Sequence, residues 1–182
     1  MIPRIVQKPV IITLAKALRL NRYTSENDTN TKNELYMNAS VCASTNLHAE
    51  IKLLREINKQ AAAHGRTIKV LLELHIAEEE TKYGLSLDAC RELLEGGEWR
   101  ELHNVQICGL MMMASHVDDE SLIRKEFMLA ADFFDEVKAR YFADDDAFCE
   151  RSWGMSHDYH IAAECGSTMV RVGTYIFGER AY

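Results

Sequence analysis

Helical and alternating hydrophobic patterns take turns along most of this chain. Leu47, Ile51, Leu54, Asn58 and Ala61 follow helical spacing, Ile57 widens the stripe, and Gly65 stands where a helix C-terminus favours glycine. Residues 69–76 then alternate. Val70, Leu72, Leu74 and Ile76 face one way and Leu71, Glu73 and His75 the other, which predicts a strand. An acidic loop, Glu78 to Gly84, leads to Ser86, a helix N-cap, and that helix stops at Gly96-Gly97. Residues 105–112 read as the next strand. Ile123, Phe127, Ala130, Phe134, Val137 and Tyr141 mark a long amphipathic helix after Asp118-Asp119-Glu120. A strand at 152–155, a short helix at 158–164 and a last strand at 169–172 complete the series.

Residues 1–46 read differently. Both prolines fall here, residues 10–20 form an apolar, helix-like piece, and residues 21–32 are polar, rich in Asn and Thr, and without apolar period. The chain thus divides into a divergent or poorly ordered segment, 1–46, and a regular part, 47–182. Strand alternating with helix predicts an α/β fold with a parallel sheet. A (β/α) TIM-type barrel fits better than an open doubly wound sheet. Glu73, His75 and Arg171 suit a barrel interior, and no G-x-G-x-x-G fingerprint is present. Eight strand–helix units usually need about 250 residues. Only four strands are legible, all after residue 68, so the expectation is a barrel incomplete on its N-terminal side.

Composition narrows the function classes. With 47% apolar and 27% charged residues the chain is globular, and a net charge of -7 argues against nucleic-acid binding. The five cysteines are scattered without a C-x-x-C, as expected of reduced thiols in a cytoplasmic protein. The longest apolar run, 10–20, is interrupted by Lys16 and Arg19, which predicts neither a membrane span nor a secretory signal.

The chemistry gathers near the C-terminus, in Trp153-Gly154-Met155-Ser156-His157-Asp158 and in Gly166-Ser167-Thr168-Met169-Val170-Arg171-Val172-Gly173-Thr174. Small hydroxyl residues and glycines at strand ends let backbone N–H groups approach an anion. An arginine inside an apolar strand needs acceptors. Together they point to a phosphorylated ligand with a ring acceptor. Plainer readings stand beside this one. Ser156 also suits a helix N-cap, Gly173-Thr174 a turn, and Arg171 a partner for buried Glu73. Met111-Met112-Met113 reads as strand packing with one Met in reach of a ligand, and His75 and Lys82 lie near a strand's C-terminal end. His157 and His160 lack a convincing third ligand, so no metal site is expected.

At these residues the sequence resembles the YggS-type pyridoxal phosphate homeostasis proteins, relatives of the alanine racemase N-terminal barrel. The matching pieces are Ile57 to Ala62, Gly65 to Ile68 before the strand, Glu79 to Gly84, Cys108 to Met111, Gly154 to Asp158, and Gly166 to Thr174 continuing into Ile176 to Arg180. The resemblance covers about residues 50–182. It implies a PLP-binding barrel serving vitamin B6 and amino-acid homeostasis, without established catalysis. Ser156, Gly173 and Thr174 would hold the phosphate beside Met155, and Arg171 would meet the pyridine nitrogen. The family's Schiff-base lysine, which ends its first strand, has only Lys16 as a counterpart, and the pattern around Lys16 departs from the family's. The alternatives are a racemase-like enzyme and a non-functional truncated barrel. The expected partner is the small-molecule cofactor, with no nucleic acid or membrane, and a homodimer is expected to form through uncovered barrel edges.

Overall fold

The computed structural model describes residues 4–5, 39–41, 47–76 and 84–173. Its elements run β1 (Arg4–Ile5), β2 (Ala39–Val41), α1 (Leu47–Ala63), β3 (Ile68–Leu74), α2 (Leu87–Gly96), a 3-10 turn (Glu98–Glu101), β4 (Val105–Met112), α3 (Glu120–Tyr141), β5 (Glu150–Met155), α4 (Tyr159–Glu164) and β6 (Met169–Arg171). All six strands pair in parallel, in the order β1-β6-β5-β4-β3-β2. This is the α/β barrel architecture expected from the alternation of strand and helix. Because the strands are parallel, their C-terminal ends share one mouth.

The elements from α1 onward lie where the periodicities place them. Ser86 caps α2, its Oγ accepting from the Ala89 N–H at 3.1 Å, and Gly97 ends that helix at φ 73°. Asp119 caps α3, accepting from the Ser121 and Leu122 N–H groups. The strands β1 and β2 fall within residues 1–46, where no strand is legible in the sequence. Strands of two and three residues are too short to display an alternating pattern. The apolar piece at 10–20 and the acidic loop with Lys82 lie outside the described residues.

The two faces of the sheet have different tasks. Val70, Leu72, Leu74, Leu110, Met112 and Trp153 are buried in one apolar cluster with Leu54, Leu93, Phe127 and Phe134 of the helices. On the opposite face Leu71, Cys108 and Met111 form a smaller cluster, with Met113 against it. That face is the barrel interior, and it is the one that carries polar groups. None of the described helices is long and apolar enough to cross a membrane.

Glycine allows the closest strand approach. A Cβ on Gly109 would lie 1.9 Å from the Glu150 carbonyl oxygen. The obstacle is backbone, so Gly109→Ala is expected to cost about 3 kcal/mol of stability by forcing β4 and β5 apart. Denaturant unfolding checks this, and an unchanged midpoint contradicts it. Burial also quiets the thiols. It pushes Cys90 up to about 12 and Cys108 up to about 11, and raises Cys165, whereas Cys149 is exposed. Among these four, a thiol-reactive dye should label Cys149 first, and Cys90 only after denaturation. Native labelling of Cys90 as fast as Cys149 would contradict the packing.

Candidate functional site

Arg171, the last residue of β6, is the organising side chain of the barrel interior. It is 9% exposed. Its Nη1 donates to the Ser152 carbonyl at 2.6 Å and to the Ser152 Oγ at 2.7 Å, and its Nη2 donates to the Met112 carbonyl at 2.8 Å. One guanidinium therefore ties β6 to β5 and β4. The β5–β6 register shifts between Ser152 and Met155, and within that shift the Ser152 carbonyl accepts from Arg171. Burial pulls the guanidinium down to about 10, while the charges of Glu73 and Asp158 act against that shift. At neutral pH Arg171 is protonated and can only donate. A guanidinium has five N–H bonds, and these three contacts are its hydrogen bonds among the described residues.

Glu73 is buried, and it acts on Arg171 through charge while the guanidinium's hydrogen bonds go to Ser152 and Met112. The expected alternative of a simple Arg171–Glu73 pair therefore describes only the electrostatics. Met111 pairs in register with Glu73 on one side and Ser152 on the other. Of the three consecutive methionines, Met111 lines the interior, Met113 packs beside it, and Met112 belongs to the outer core.

Met155 and Arg171 are register partners across β5 and β6. Ser156 and the pair Val172-Gly173 thus leave adjacent strand ends at the same mouth. Gly173 is half-buried, and a Cβ added there would meet no atom of the described residues within 4 Å. Gly154 is constrained. Its φ is +98°, and a Cβ would lie 2.6 Å from the Ala162 Cβ, so only glycine lets α4 close against β5. Thr174 and Lys16 lie outside the described residues.

The second motif splits into two tasks. Ser167 and Thr168 precede β6, at the end opposite the mouth. The Ser167 Oγ lies 2.7 Å from the Trp153 carbonyl, 3.0 Å from that of Arg151 and 2.9 Å from that of Met169. The Thr168 Oγ1 accepts from the Arg151 N–H and donates to Glu150. These hydroxyls stitch β5 to β6, and the part of the motif that lies at the mouth begins at Arg171.

Asp158 closes the first C-terminal motif, where spacing alone gives it no role. It is 1% exposed, and its Oδ1 accepts from the Met155 N–H at 2.5 Å. Its Oδ2 stands 3.3 Å from the His157 Nε2 but receives no hydrogen bond. The available signal was its position, a carboxylate two residues after Ser156 at a strand–helix junction. The His157 ring meets that of His116 edge to face, with centroids 4.8 Å apart. Behind His116, the Ser115 N–H and Oγ bind the buried Glu126 carboxylate at 2.7 and 2.6 Å, anchoring the β4–α3 loop. Among the described residues no group of three His, Cys, Asp or Glu could hold a metal ion.

Comparison with known proteins places the chain in a family. The family model for the alanine racemase N-terminal domain matches residues 36–181. The pyridoxal phosphate homeostasis protein of Aquifex aeolicus is 37% identical over 130 residues, which are 71% of this chain and 55% of that protein. This chain spans about half the length of the curated relatives it matches. PipY of Synechococcus elongatus, solved with PLP bound, is 28% identical with a TM-score of 0.60, over 70% of this chain and 57% of PipY. An alanine racemase of Clostridium difficile, 16% identical with a TM-score of 0.54 over 72% of this chain and 35% of the racemase, shares the fold. The chain is a member of the alanine racemase N-terminal domain family.

Proposed function

We propose that this chain binds pyridoxal 5′-phosphate at the barrel mouth and serves vitamin B6 and amino-acid homeostasis in the cytoplasm by holding that cofactor, without catalysis of its own. Arg171 is the observation that carries the reading. A buried, protonated guanidinium fixed by the Ser152 and Met112 carbonyls has further N–H bonds to offer an acceptor. The open space beside Gly173 suits a group that must approach backbone closely. In the relative PipY the bound molecule is PLP.

In this reading Arg171 donates to the pyridine nitrogen. Ser156, Gly173 and Thr174 hold the phosphate, Met155 and Met111 flank the ring, and Lys16 is the candidate covalent anchor. The cofactor supplies an aldehyde on an electron-withdrawing ring. An arginine facing the ring nitrogen cannot give up its proton at neutral pH, so the nitrogen stays an acceptor and the ring a weaker electron sink. That arrangement favours storage and delivery over broad amino-acid chemistry. The C-terminal strand ends position the ligand, and the interior methionines shield its ring from water.

Absorbance titration with PLP tests the assignment. The parent chain is expected to bind, and Ser156→Ala and Arg171→Ala are each expected to weaken binding about tenfold or more, the scale of one lost charge-assisted hydrogen bond. If both variants bind as the parent does, the site lies elsewhere. Borohydride reduction followed by peptide mapping tests the anchor: a reduced adduct on the peptide that holds Lys16 identifies it as the anchor, and binding without trapping identifies a phosphate site that lacks a covalent lysine.

A further inference from the structure

Asp158 is a buried carboxylate beside a site proposed to hold an anion, where its charge opposes the ligand's. Something must compensate for its burial. A helix cap is the ordinary explanation for an aspartate at this place, but its side chain makes no capping bond to α4. It turns back toward β5 instead. The Met155 N–H donates to the Asp158 Oδ1 at 2.5 Å, and the Asp158 N–H donates to the Met155 carbonyl at 3.2 Å. These reciprocal bonds close a ring around Ser156 and His157. The Asp158 carbonyl also accepts from the Ala162 N–H at 3.0 Å, which ties the ring to α4. Gly154 lets that helix sit against the strand. The Asp158 charge is also one of those that act on the buried Arg171 guanidinium.

We propose that Asp158 is the positioning residue of the phosphate subsite: its Oδ1, by accepting the Met155 N–H, fixes the turn that presents Ser156 beside the strand end Val172-Gly173. The inference rests on the PLP reading above. Acceptor geometry is what matters, and the negative charge is incidental. Two substitutions separate these properties. Asp158→Asn keeps an acceptor oxygen in place and removes the charge. Asp158→Glu keeps the charge and moves the oxygen by one methylene.

The readout is the ratio of dissociation constants for pyridoxal and PLP, which differ only in the phosphate, measured by absorbance on parent and variants. A general loss of stability would weaken both ligands and leave the ratio unchanged. Asp158→Asn is expected to keep the parent's phosphate preference within about threefold, and Asp158→Glu to lose about tenfold of it. Ser156→Ala is expected to lose a similar factor. Combining it with Asp158→Glu should add little, because both remove the same contact. The proposal is overturned if Asp158→Glu keeps the preference, if Asp158→Asn loses it, or if the two losses multiply in the double variant. A parent that binds neither ligand overturns the PLP reading itself. A parent that binds both equally overturns the phosphate subsite while leaving ring binding intact.

Discussion

A single buried cation holds the interior of this barrel in register. The guanidinium of Arg171 reaches from β6 across β5 to β4 and engages two carbonyls and a hydroxyl that no apolar side chain could satisfy. Desolvating a charge is expensive, and breaking such an arrangement by removing one partner commonly costs about 3 kcal/mol or more. The shift in the β5–β6 ladder and the small side chain of Ser152 accompany it, and the charges of Glu73 and Asp158 act on it. Those three bonds tie the strands together and leave further N–H groups of the guanidinium over. The use of arginine there makes sense when an acceptor arrives from the mouth.

Around this cation the mouth is assembled from short pieces, each fixed by its own local physics. Gly109 lets β4 and β5 approach, Gly154 lets α4 close on β5, and Ser167 with Thr168 stitches the far end of β5 to β6. The Glu126 carboxylate pins the loop after β4 through Ser115. The elements that frame the site are therefore tied down by hydrogen bonds and close backbone contact as well as by apolar packing. Rigid elements hold ligand groups more accurately than loops do.

Much of this was legible in the sequence. The alternation from Val70 to Ile76 and the stripe from Ile123 to Tyr141 contain enough residues for their periods to show, and β3 and α3 follow them. Arg171 stood out because a charge inside an apolar run demands acceptors. The strands Arg4–Ile5 and Ala39–Val41 did not show, since two or three residues carry no period. The motif around Ser167 looked like a single cradle. In the structure its hydroxyls lie before the strand and its arginine at the strand's end, a separation that spacing along the chain does not reveal. Asp158 was hidden for another reason: its role comes from the direction in which the side chain turns, and a capping aspartate and one that bends back to the strand have the same local sequence.

In the proposed complex Arg171 keeps donors for a pyridine nitrogen while Ser156 and Gly173 face the phosphate. A crystal structure of the chain soaked with PLP tests it most directly. The expected result is an Arg171 N–H within hydrogen-bonding distance of the ring nitrogen and the phosphate seated between the ends of β5 and β6. Density for PLP at another place, or a ring nitrogen turned toward a carboxylate with Arg171 out of reach, would contradict it.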